Sequence, residues 1–356
     1  LLPIEYVDGY GEERIQNFDY SFKAKSIYTH YWFSLPNEDM SFSKSGNYLL
    51  KVYEEEEEKR LVITRRFVVV ERQIQIFARP ARVAAVHLDN THQEVDFTVK
   101  HEGFEIRNPR QELFATVLQN GRWDTAIAGI PPFISGGTEQ RFDYQGKIVF
   151  PAGKEFRYVD LRGLKYKDPR LTEVTIDHDG YEARIEMDRK RGGGAHFEWR
   201  DINGNFIIEN TDESGRIAFS RDSSDAFGFT STGAKSFVNN LESEYVDVLF
   251  TLYSPGEMYG EDLYIFGGLS DWELKPEFKM VYNPAIYAYV GKVKLKQGYY
   301  DYIYAAVSHE TGKADFEVTE GNAYETENEY TILVYYREFG SRYDRLIGIE
   351  TISSRY

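Results

Sequence analysis

Cysteine is absent from the 356-residue chain, which removes disulfides, thiolate metal sites and cysteine nucleophiles together. No apolar run reaches the roughly 18 residues a membrane-crossing helix needs, so no direct membrane insertion is expected. Positive charge is short: 42 Lys and Arg stand against 58 Asp and Glu, a net charge of −16. A nucleic-acid or anionic-membrane binder needs a basic stripe. The dense basic clusters here, Arg65-Arg66 and Arg189-Lys190-Arg191, are brief and flanked by acids. Leu1-Leu2-Pro3-Ile4-Glu5 shows no charged segment followed by an apolar one, so no signal peptide is read there.

Catalytic patterns are missing as well. No GxSxG occurs, and Gly228-Phe229-Thr230-Ser231-Thr232-Gly233 has the wrong spacing for a nucleophile elbow. Gly192-Gly193-Gly194 is not followed by Lys-Ser or Lys-Thr, so no phosphate loop is expected. His87, His92 and Asp89 lack the spacing of a metal motif. Asp177-x-Asp179-Gly180 and Asp201-x-Asn203-Gly204 copy a fragment of a calcium loop without its twelfth-position Glu, and read as Asx-type turns. Among 58 acidic residues nothing selects a pair for glycoside cleavage. The run Glu54–Glu58 reads as a solvated hairpin tip, since adjacent carboxylates do not converge on one ion. No cofactor and no metal are expected.

What is present is aromatic. Tyr (28) and Phe (24) bring the aromatic share to 16%, and a tyrosine ring with a hydroxyl at its tip suits half-buried sheet faces and interfaces. Period-two alternation recurs, as in Val95, Phe97 and Val99, in Tyr181, Ala183, Ile185 and Met187, and in Tyr300, Tyr302 and Tyr304. No window between Pro80 and Phe237 keeps a helical period for ten residues. Leu263–Gly267, Ile286–Val293 and Tyr299–Val307 read as a β-meander, with Gly298 turning into its last strand. Val83–Leu88 reads as a strand, and Asn120-Gly121 as a two-residue hairpin turn. Lys44-Ser45-Gly46-Asn47-Tyr48 is echoed by Lys296-Gln297-Gly298-Tyr299-Tyr300.

The expected fold is all-β: tandem antiparallel β-sandwich modules over residues 1–78, 79–240 and 241–356. The polar stretch Thr211 to Asn240 separates the last two. Gly267-Gly268-Leu269-Ser270-Asp271-Trp272 resembles the early-set, immunoglobulin-like sandwiches of glycogen- and starch-binding domains. There an exposed Trp stacks on sugar, although Trp272 reads better as a core anchor.

A wider resemblance covers nearly the whole chain. Tyr28-Thr29-His30-Tyr31 with Leu35-Pro36-Asn37, Gly46-Asn47-Tyr48-Leu49-Leu50 and Thr64-Arg65-Arg66-Phe67 carry it in the first part. Asn108-Pro109-Arg110-Gln111-Glu112-Leu113, Leu118-Gln119-Asn120-Gly121-Arg122-Trp123-Asp124 and Gly267-Gly268 with Asp271-Trp272 continue it. Gly321–Thr326 and Tyr343–Gly348 complete it. Together they resemble the plug protein family of the type IX secretion system. The resemblance implies a non-enzymatic periplasmic protein on the inner face of the outer membrane, closing the inner mouth of the translocon β-barrel, its partner. It implies that the family pattern starts ahead of Leu1, and it marks Tyr48, Arg65, Arg66, Asn108, Pro109, Gln111, Trp123, Trp272 and Tyr300 as motif or interface positions. The alternative is a periplasmic or surface glycan-binding sandwich using Trp272 and nearby tyrosines.

Overall fold

A computed structural model describes residues 1–54, 60–178, 180–212 and 241–355. Glu55–Glu58, Asp179, the Ser231 loop and most of the Thr211–Asn240 stretch lie outside the described residues. Regular structure is nearly all β, in mostly antiparallel sheets, and no helix in the described part is long and apolar enough to cross a membrane.

The first part contributes three two-stranded sheets: Val7–Gly9 with Met40–Phe42, Asn17–Tyr20 with Thr29–Trp32, and Gly46–Glu54 with Arg60–Val69. Aromatic rings hold this small unit together, and none of its described hydrophobic side chains is fully buried. Tyr48 stacks on Phe67 at 5.1 Å, and Phe42 and Tyr6 meet Tyr48 edge-on at 4.8 and 5.6 Å.

A two-layer sandwich follows. One layer joins Ile134–Gly136, Glu139–Phe142, Val149–Pro151 and Gln75–Ala81 around the central strand His92–Lys100. The other runs Ile127–Ile130, Leu113–Gln119, Glu329–Tyr336, Arg345–Ser353. Alternation puts Val95, Phe97 and Val99 on the inner face of one layer, and Ala115, Val117, Ile332 and Val334 on the inner face of the other, all buried. Phe97 stacks on Phe142 at 4.4 Å. Each such side chain contributes about 2 kcal/mol. Asn120 (φ 53°) and Gly121 (φ 68°) are both left-handed, as a turn of the I′ type requires, but the next strand begins only at Ile127 and pairs with Val117, so the turn opens a longer loop rather than the expected two-residue hairpin.

The third body is one eleven-stranded sheet that folds over itself. Its main path runs Arg157–Asp160, Gly298–Ser308, Glu261–Phe266, Lys279–Asn283, Ala288–Lys296, Tyr245–Tyr253, Tyr181–Ile185, Leu171–Ile176. The fold brings Tyr302 edge-on to Phe250 at 5.0 Å and encloses the largest apolar core.

Several expectations change. The predicted meander is a Greek-key arrangement: Gly298–Ser308 leaves its sequence neighbour Ala288–Lys296 and pairs with Glu261–Phe266. Alternation identifies a strand but not its partner. Gly298 is demanded by close approach rather than by a tight turn, since a Cβ there would lie 2.4 Å from the Ile207 carbonyl oxygen. Val83–Leu88 is no strand; Val86–Leu88 forms one turn of 3-10 helix. The sheets also run across the expected division near residue 240. Tyr181–Ile185 pairs in parallel with Tyr245–Tyr253, and Leu113–Gln119 pairs with Glu329–Tyr336.

Candidate interaction surface

Residues that the sequence singled out converge where the first unit meets the two larger bodies. The Asn120-Gly121 turn is fixed by the Asn120 side-chain amide donating to Asn328 Oδ1 at 2.8 Å, and the Glu329 amide donating to Asn120 Oδ1 at 2.9 Å. That places Arg122, only 8% exposed, among three rings: Trp272 at 4.9 Å, Phe316 at 5.2 Å and Phe266 at 5.3 Å. A two-pronged bond to Asp124 (3.2 and 2.6 Å) holds the guanidinium flat. Trp272 also meets Phe156 and Phe266 edge-on at 5.9 and 5.6 Å. Gly204, at φ +79°, has no room for a Cβ, which would lie 2.3 Å from the Trp272 ring.

Onto this seam the first unit lays two adjacent arginines. Arg65 pairs with Asp271 at 2.7 Å, and Arg66 lies 5.4 Å from the Trp123 ring. Val68 and Val70 pack with Trp123 against Leu118, Leu333 and Leu346. The Tyr335 hydroxyl donates to Asn47 Oδ1 at 2.8 Å. A second clamp joins the unit to the large sheet. There the Tyr28 hydroxyl donates to the Ser243 carbonyl at 2.9 Å, and the Lys296 ammonium lies 4.3 Å from the Tyr28 ring. Burial pushes the Lys296 amine down to about 8.

Arg65, Arg66, Trp123 and Trp272 thus share one seam; the other singled-out residues lie elsewhere. Asn108, Pro109 and Gln111 belong to the single helical turn Pro109–Glu112, where the Glu112 carboxylate accepts from the amides of Arg107 (3.0 Å) and Asn108 (2.9 Å). Tyr48 lies in the first unit's aromatic cluster, and burial pushes its hydroxyl up to about 12. Tyr300, 3% exposed and stacked on Phe206 at 5.4 Å, presents nothing to a partner. The motif around Arg122 assigns that residue no role. Its position directly after Asn-Gly was the available signal, because a residue following a rigid turn is aimed.

Two buried charge groups lie in the large sheet. Arg157 binds Asp188 at 3.0 Å and Glu320 at 3.0 Å, Arg170 joins Asp188 at 2.8 Å, and the hydroxyls of Tyr302 and Tyr304 donate to Asp188 at 2.7 and 2.8 Å. Burial alone would lower Arg157, but the charges of Glu320 and Asp188 outweigh it and raise it. Nearby, Asp301 accepts amide bonds from Ile202 (2.7 Å) and Gly204 (3.2 Å), and burial, reinforced by Asp201, pushes its carboxyl up to about 8. Burial takes Asp201 up to about 6.

None of these groups lines either of two cavities at the surface. A cavity of about 400 Å³ is lined by Gln93, His196, Tyr324 and Arg355, but His196 is bound to Glu155, and Arg355 to Glu155 and Glu198. A smaller one, about 210 Å³, holds Lys154, whose ammonium donates to the carbonyls of Arg191 and Gly194. No three His, Asp or Glu among the described residues converge as metal ligands; Asp89 pairs with Arg82 and His92 bonds to Thr91. The Asx reading of Asp201 agrees with its Oδ1 accepting from the Asn203 amide at 3.3 Å.

Outward-facing apolar surface is concentrated in the first unit. Phe18 touches Tyr20 and Tyr31 at 5.8 and 5.9 Å on the open face of the ribbon Asn17–Tyr20/Thr29–Trp32. Leu49, Leu61, Val62 and Ile63 are exposed on the hairpin.

The fold is that of an all-β protein of stacked, mostly antiparallel sheets. Residues 1–71 match the type 9 secretion system plug protein 1st domain. The crystal structure at 2.30 Å of a hypothetical protein from Parabacteroides merdae is 31% identical, with a TM-score of 0.84 over 99% of this chain and 83% of that one. No curated protein matches. The first 71 residues are thus a type 9 secretion system plug protein domain, and the chain as a whole shares its fold with the Parabacteroides merdae protein.

Proposed function

We propose that the protein is a non-enzymatic plug that closes the periplasmic opening of the outer-membrane translocon barrel and is released as cargo loads. The match over residues 1–71 carries this reading. The structure supports it in that the matched unit holds the exposed Phe18, Tyr20 and Tyr31 and is clamped to the larger bodies at Arg65, Arg66 and Tyr28. A pore wide enough for folded protein leaks small molecules when idle. A stopper for it needs stiffness, wide surfaces and aromatic contacts that tolerate water when undocked. On this reading the protein resides in the periplasm against the outer membrane.

The glycan-binding alternative loses its support at Trp272, whose ring is engaged by Phe156, Phe266 and Arg122. Deleting the gene tests the plug directly: the outer membrane becomes permeable to large dyes while cargo export partly continues. Unchanged permeability removes the proposal.

A further inference from the structure

We propose that the cavity walled by Lys154, Lys190, Phe197 and Trp199 binds a carboxylate joined to an aromatic or branched apolar group, as in a free aromatic acid or the last residue of a peptide. The site lies apart from the seam and does not depend on the plug reading.

The cavity, about 210 Å³, is lined by Lys190 and Arg191, which directly follow the short strand Asp188–Arg189, by Gly194 and Ala195 at the end of the glycine run, and by Phe197, Trp199 and Lys154. Its lining holds three cations and no acid, in a chain of net charge −16. A concave surface of one sign concentrates ions of the other.

Arg191 is already committed: its guanidinium binds Glu320 at 2.6 Å and donates to the Glu155 carbonyl at 2.8 Å. The two lysines are not. Lys154, 8% exposed, donates to the carbonyls of Arg191 at 2.7 Å and Gly194 at 3.0 Å, and an ammonium has a third proton to give. Lys190 reaches the Met258 sulfur at 3.2 Å, a weak acceptor. Among the described residues no carboxylate pairs with either lysine. The acids whose charge reaches Lys154 are bound elsewhere, Glu155 to His196 and Arg355, Glu320 to Arg157 and Arg191. Burial, reinforced by the Arg191 charge, lowers the Lys154 amine below its ordinary value all the same. A cation desolvated without a counter-ion is held at a cost, and an anion in the cavity offsets it.

The rings select what the anion is attached to. The Trp199 indole N–H donates to the Phe156 carbonyl at 2.8 Å, and the Arg191 guanidinium lies 5.1 Å from its ring, so the indole is fixed. Phe197 borders the same cavity and is 71% exposed. An apolar group set against these rings buries surface that is otherwise wet. The volume suits one side chain with its carboxylate rather than a cofactor. Phosphate fits less well, because it brings nothing apolar and the planar fork of Arg191 is occupied.

Isothermal titration of the purified protein with N-acetylphenylalanine, its amide, inorganic phosphate and a tetrapeptide ending in phenylalanine tests the site. The acid should bind with a Kd of about 1 mM, more weakly in high salt, and the amide about ten-fold more weakly still. Lys190→Gln should weaken the acid about ten-fold and Phe197→Ala about three-fold, both with an unchanged melting temperature. A tetrapeptide that binds more tightly than the N-acetyl acid assigns the site to peptide ends, and equal affinities assign it to free acids; both support it. Equal binding of acid and amide, phosphate binding as tightly as the acid, acid binding unchanged by Lys190→Gln, or no measurable binding overturns it. None of these outcomes bears on dye entry, which tests the plug.

Discussion

The hydroxyl of Tyr300 donates to the carbonyl of Lys296 at 2.6 Å, and in the first unit Tyr48 makes the same bond, at the same length, to Lys44. In both, a tyrosine reaches four residues back across a glycine, with a buried polar residue, Gln297 or Ser45, inside the turn. The hydroxyl stitches the entry of a strand to the chain that precedes it, as a tyrosine corner does in immunoglobulin-like sandwiches. Tyr300→Phe should cost about 1–2 kcal/mol, because it leaves the Lys296 carbonyl unpaired in a buried site. Tyr48→Phe, at a half-buried position, should cost about 1 kcal/mol or less. Urea unfolding of the two variants measures both.

Arg122 contributes by stacking as much as by charge. Arg122→Met keeps the length of the side chain but loses three ring contacts and the bond to Asp124, and should cost about 1–3 kcal/mol. Arg122→Lys should recover only part, since an ammonium cannot make the planar fork. Trp272 fluorescence should shift in both variants, and a seam that does not depend on Arg122 would leave emission and unfolding midpoint unchanged.

Arg157 neutralises Asp188 and Glu320 inside the large sheet. Arg157→Met should destabilise by about 3 kcal/mol or more, because two buried carboxylates lose a cation that no water replaces. Arg170 and Arg191 stay bonded to them and limit the loss. Thermal unfolding reads the difference.

Asp301 ties stability to pH. Its folded carboxyl is pushed above its unfolded value, to about 8. The native state therefore holds the extra proton between about pH 4 and pH 8, and stability falls as pH rises through that window. Asp301→Asn keeps an acceptor for the Ile202 and Gly204 amides and carries no titrating proton. Between pH 6 and 8 the wild type should lose about 1–2 kcal/mol relative to the variant. Parallel pH dependence of the two proteins would refute the assignment.

Local chemistry was legible in the sequence. Alternation placed Val95, Phe97 and Val99 in the core, Asn-Gly specified the turn before Arg122, and the Lys-x-Gly-x-Tyr echo proved to be a shared hydrogen bond. Partner choice was not legible. Nothing within Gly298–Ser308 says that it pairs with Glu261–Phe266 rather than with the strand just before it, because every edge offers the same backbone groups. The seam was half legible. Arg65 and Arg66 stood out as a basic pair in an acidic chain, while Asp271 and Trp123 became their partners only through the fold.

The pairing of Leu113–Gln119 with Glu329–Tyr336 reaches beyond geometry. Gln93 accepts from the Tyr330 hydroxyl across 237 positions of chain, so the two layers of the sandwich close only once both distant segments have been made. Premature folding during synthesis is thereby discouraged. Glu329–Tyr336 thus acts as the fastener of a body begun far earlier in the chain.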